Sequence, residues 1–124
     1  MENIRISVED ISITAELLDT PTAQKIIQSL PLEASVNTWG DEIYFDVPLN
    51  LELEPGARAD VEVGELGYWP SGPAFCIFFG PTPMSTGEKP RAASEVNIFG
   101  RVIGDSTILK SVRRGATISI TEAD

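Results

Sequence analysis

The chain has 124 residues, 42% of them apolar, with 19 acids against 9 bases and a formal net charge of -10. That length suits one domain around one core, and the acidic balance excludes nucleic acid, which needs clustered lysine and arginine, as well as anionic membrane surfaces. Histidine is absent and Cys76 is the only cysteine, which removes Ser-His and Cys-His nucleophiles, histidine zinc sites and any intramolecular disulfide.

The first residues, MENIRISVED, carry no apolar signal core, and no window is long and apolar enough to span a bilayer, so the expected location is the cytoplasm. Ile4, Ile6 and Val8 alternate with polar neighbours. After Glu9-Asp10 the alternation resumes at Ile11, Ile13, Ala15 and Leu17, which predicts an antiparallel hairpin with one buried face. Glu16 lies inside that second run, where contact with the segment Thr20 to Thr22 is expected. The period then changes. Thr20 is a candidate N-cap with Pro21 at the first helical position, and Ala23, Ile26, Ile27 and Leu30 fall on one helical stripe before Pro31. This is a short amphipathic helix, expected to cover an open barrel end.

Leu32, Ala34 and Val36 form the next strand, Trp39-Gly40-Asp41 a turn, and Ile43, Phe45 and Val47 another strand. Glu42, Tyr44 and Asp46 share the opposite face, where solvent is the expected neighbour. Asp41, Glu42 and Asp46 are also candidates for an acid-base pair.

Residues 68–83, YWPSGPAFCIFFGPTP, hold five of the nine aromatic residues and four of the nine prolines. Proline cannot donate to a ladder, so the prolines bracket a strand over 74–80 rather than fill it. Alternation sends Phe75, Ile77 and Phe79 to one side of that strand and Cys76 and Phe78 to the other. A strand apolar on both faces needs a second cover: a helix, a partner subunit or a ligand. Trp39, Tyr68 and Trp69 flank turns and carry polar atoms, which suits a groove rim. The candidate binding residues are therefore Trp39, Tyr44, Tyr68, Trp69, Phe75, Phe78 and Phe79, with Cys76 an inert packed thiol. Residues 84–94 are polar and expected on the surface. Residues 96–104 return to strand, with Gly100 at a bulge or close backbone approach. Ala116, Ile118 and Ile120 supply a closing strand, preceded by a small basic spot at Lys110, Arg113 and Arg114.

In order along the chain, ITAELLDTPTAQKIIQSLP (13–31), GELGYWPSGPAFCIFFG (64–80) and VNIFGRVIGDSTILKSV (96–112) resemble segments of the cyclophilin fold. Phe78 and Phe79 fall at that family's paired phenylalanines. With TWGDEIYF, the set is similar to a short prokaryotic cyclophilin-like branch of unknown function. The resemblance implies a mostly β protein: a closed cyclophilin-like barrel of about eight strands, with one or two short helices at its ends, as a single domain over 1–124. It implies no activity by itself. The chain also departs from the family at its catalytic run: Phe45-Asp46-Val47 stands where cyclophilins carry Phe-His-Arg, Ile77 where they carry glutamine, and Val96 where they carry histidine.

The leading expectation is a binding domain whose apolar aromatic groove takes a small amide-containing or peptidyl ligand. The alternatives are a divergent peptidyl-prolyl isomerase, with Arg101 as the weak catalytic candidate, and a protein-interaction subunit. No metal or cofactor is expected. The expected partners are a small molecule or peptide and, as an option, a second copy of the chain.

Overall fold

The computed structural model describes residues 2–123. Strands β1 (Asn3–Val8) and β2 (Ile11–Leu17) form the expected hairpin, turning at Glu9, whose φ of 55° lies in the left-handed region. Helix α1 (Pro21–Ser29) follows, capped by Thr20, whose Oγ1 accepts from Ala23 N at 3.1 Å, with proline at its start. Then come β3 (Leu32–Ser35), β4 (Asn37–Thr38), β5 (Glu42–Asp46), β6 (Arg58–Asp60), β7 (Glu65–Trp69), β8 (Ala74–Phe78) and β9 (Arg91–Ile103). A 3-10 helix (Ser106–Ser111) and β10 (Thr117–Glu122) complete the order.

The strands form an antiparallel sheet of order β3-β10-β1-β2-β9-β7-β8-β5-β4, with β6 attached separately to β9. This order is an open path, and among the described residues no ladder joins β3 to β4. The closed barrel expected from the sequence is therefore not what the ladders form. The two outer strands are instead consecutive in the chain, separated by Val36 alone. Val36 N donates to Ala116 O at 2.9 Å, and its own carbonyl accepts from Gly115 N at 2.8 Å.

Period-2 alternation decides what each strand buries. Ile6 stands opposite both Ile13 and Ile120, and these join Ile4, Val8, Leu17, Phe45, Leu66, Phe75, Ile77, Phe99 and Ile118 in the main core. Phe75 stacks on Phe45 at 4.9 Å and meets Phe99 edge-on at 5.0 Å. Each such buried ring stabilises the fold by about 1.5–3 kcal/mol over its exposed state. Helix α1 adds Ala23 and Ile26 to the same core.

Strand β8 is buried on both faces. Its other side contributes Ala74, Cys76 and Phe78 to a smaller apolar cluster with Val61, Ala92 and Val96, flanked by Tyr44, Trp69 and Ile98. The cover is the chain itself: β9 begins at Arg91, and β6 pairs with its first half. The polar surface run expected over 84–94 thus ends in strand. Neither RAD (58–60) nor RAAS (91–94) alternates large apolar residues, so no periodicity announces them. Their pairing is reinforced by Arg91 Nε with Asp60 at 2.8 Å, while Arg58 ties β6 to Glu65 of β7 at 2.8 Å.

Gly100 fulfils both roles expected of it. The β7–β9 register shifts between Leu66 and Gly67, opposite Gly100 and Ile98, and a Cβ on Gly100 would lie 2.7 Å from Glu16 O.

Candidate functional site

On the outer face of the sheet, four strands bring together residues that lie far apart in the chain. Glu42 and Tyr44 project from β5, Cys76 from β8 and Trp69 from the end of β7, while β9 supplies Ala92, Ala93 and Val96 and the turn before β5 supplies Trp39. Together they line a recess of about 220 Å³. Tyr44 stands directly opposite Cys76 across the β5–β8 ladder, and Gly67 stands opposite Cys76 on the other side. Trp69 is fixed by its indole Nε1, which donates to Ser94 Oγ of β9 at 2.6 Å. That N–H is committed, so the indole offers the recess its ring.

Of the seven aromatic candidates, Trp39, Tyr44 and Trp69 line this recess. Tyr68, Phe75 and Phe79 are buried in the main core and Phe78 in the smaller cluster, and none of the four lines it. Tyr68 also spends its hydroxyl internally, donating to Leu49 O at 3.1 Å and accepting from Leu51 N at 3.0 Å. Arg101 lies elsewhere: it is exposed, 3.7 Å from Glu16, and cross-strand from Glu65. The acid at the helix start is not Glu16 but Glu54, which accepts from Thr22 N at 2.9 Å and from the Thr22 hydroxyl. Nothing local could have flagged Glu54, which reaches α1 from a loop thirty-two residues on.

Glu42 is the residue whose setting differs most from the sequence expectation. It is only 5% exposed, because the first half of β9, which brings Ala92, Ala93 and Val96 to the same recess, covers a face that alternation alone would leave to water. Burial pushes its carboxyl up from 4.5 to about 7, and a hydrogen bond from the Cys76 thiol offsets part of that rise. The thiol also lies 3.9 Å from the Ala74 carbonyl, a contact long even for sulfur. Burial and the adjacent carboxylate push the Cys76 thiol upward in turn, which makes it a poor nucleophile. Asp46 is exposed, and Asp41 pairs with Lys110 at 3.6 Å, so the three acids of this stretch do not meet as one set.

A mostly β chain with an antiparallel sheet, an N-terminal hairpin followed by a short helix, and a small aromatic recess on the sheet's outer face defines the class. The chain belongs to the cyclophilin-like family, whose profile matches residues 2–121. It is similar to the hypothetical protein AF2241 from Archaeoglobus fulgidus, known from a solution structure. The two share 36% identity and a TM-score of 0.83, over 98% of this chain and 95% of that one. It also shares its fold with McbB, whose structure is known in complex with tryptophan, at 14% identity and a TM-score of 0.71. That match covers 95% of this chain and 44% of McbB. No curated protein matches. Among the described residues, no helix is long and apolar enough to cross a membrane.

Proposed function

We propose that this cyclophilin-like domain binds a small amide-containing or peptidyl ligand in the recess between Trp39 and Trp69, without catalysing prolyl isomerisation. The supporting observation is the recess itself. Its walls are rings and aliphatic side chains, with a single acid to fix orientation, the usual make-up of a small-molecule site. Its size limits the ligand: about 220 Å³ lies below the roughly 300–1,000 Å³ of drug-sized pockets and holds about seven waters at liquid density. A peptide would insert one side chain, not a folded segment.

Isomerisation would need a cationic donor aimed at the twisting amide. No arginine or lysine is among the residues lining the recess, and Arg101 faces acids on another part of the sheet. The finer architecture belongs to the same reading. Because β3 and β4 are joined through Val36, chain continuity holds the sheet's two edges together, and we infer a barrel-like wall behind the recess.

Thermal unfolding with and without butyramide or acetylated dipeptide amides tests the binding reading, since a ligand that binds only the folded state raises Tm. A rise that is lost in Trp69→Ala supports it. No rise with any of these, together with unchanged tryptophan emission, overturns it. A protease-coupled proline-peptide assay is expected to give no rate above background.

A further inference from the structure

We propose that the recess selects an alkylammonium group, carried by a free small amine or by a lysine side chain of a peptide, and holds it between the Glu42 carboxylate and the rings of Trp39, Tyr44 and Trp69. This rests on the preceding reading that the recess is the binding site, and it names the chemistry of the ligand.

Three observations converge on it. The first is composition: two indoles and a phenol line one small recess together with one acid and no base. Aromatic faces carry negative quadrupolar potential and attract a cation placed over them, most strongly where water is excluded. The second is an uncompensated acid. Glu42 is buried, and among the described residues none of the five ion pairs of the chain involves it. Removing a carboxylate from water without a counter-charge is unfavourable, and a ligand cation would supply the missing partner. The third is the field of the whole chain, whose net charge of -10 concentrates cations and repels anions. The small volume favours a slim group such as a butylammonium over the broader, planar head of a guanidinium.

The upward shift of the Glu42 carboxyl is consistent with the same picture, since a bound cation would favour its ionised form. The other titratable groups on the recess wall are Tyr44 on β5 and Cys76 on β8. Strand β7 contributes Trp69, β9 only Ala92, Ala93 and Val96, and the turn before β5 only Trp39. Affinity for an amine is therefore expected to rise as the pH passes upward through about 7, while the amine itself stays protonated.

The chain contains two tryptophans, and both line the recess, so selectively excited tryptophan emission reports on this site alone. The experiment titrates the full chain with n-butylammonium, 1-butanol, butyramide, and an acetylated lysine-containing tripeptide amide with and without acetylation of its lysine. Butylammonium is expected to bind at least about tenfold more tightly than either neutral probe, the order of one charge-assisted hydrogen bond. Glu42→Gln is expected to abolish that preference. As a check that does not depend on the variant folding, the wild-type preference for the amine is expected to grow between pH 6 and pH 8, spanning the Glu42 transition. Binding of the lysine peptide but not of butylammonium assigns the group to a peptide source; the reverse assigns it to a free amine. Equal or tighter binding of butyramide overturns the ammonium inference and leaves the recess as a binding site for neutral amides. No response to any probe overturns both.

Discussion

Val96 packs so closely on Gly67 that a Cβ at position 67 would stand 2.8 Å from Val96 Cγ2 and 3.3 Å from Phe78 Cε2. The Val96 side chain can therefore lie across β7 and form part of the recess wall only because position 67 has no side chain. Phe78 is held at the same contact, which is why it fills the small cluster and does not line the opening.

Gly67→Ala is accordingly expected to destabilise the fold by about 1–3 kcal/mol, the usual consequence of overpacking. It is also expected to change tryptophan emission, because Val96 must move. Urea unfolding with emission as the probe checks both. A variant as stable as the parent would show that β9 yields freely at this point.

Glu42 makes a prediction about pH and stability. Its folded-state pKa is about 7 against an ordinary 4.5, so between those values the folded chain holds a proton that the unfolded chain has lost. Stability falls as pH rises through that window, and the loss is complete above about 7. The shift corresponds to a contribution of about 3 kcal/mol. Glu42→Gln cannot ionise, so it is expected to match the parent near pH 4 and to exceed it in stability by up to that amount at pH 8. Denaturant unfolding of both proteins across this range isolates the effect, since every other titrating group is common to the two. A constant difference between them would mean that the carboxyl is better solvated than its burial implies.

Tyr68→Phe separates the core from the site. The hydroxyl bridges Leu49 O and Leu51 N, and its loss leaves both backbone groups short of a partner. A cost of about 1–3 kcal/mol is expected, with the response of tryptophan emission to recess ligands unchanged. A loss of ligand response at preserved stability would place Tyr68 in the site after all.

What was legible in the chain alone was whatever depends on local period. Alternation in 4–8, 11–17 and 43–47 located strands and their inward faces. The Thr20-Pro21 start and the Ala23, Ile26, Ile27 and Leu30 stripe located α1, and the two-faced apolar run at 74–80 showed that something must cover a second side. These signals are local because pleat and helical pitch are properties of a few consecutive residues. The cyclophilin-like family was legible as well, through the order of three segments.

Only the tertiary structure decided what the cover is. Strand β6 is tied to β9 by Arg91 with Asp60 and to β7 by Arg58 with Glu65, and β9 packs Val96 onto the bare Gly67 of β7; none of these contacts has a period. Once these strands close over β8, the same covering face buries Glu42, which alternation assigns to solvent, and sorts the aromatic residues into core and recess. Burial of a charge depends on which distant segment lies above it, and that is set by packing between strands and not by the pattern within one.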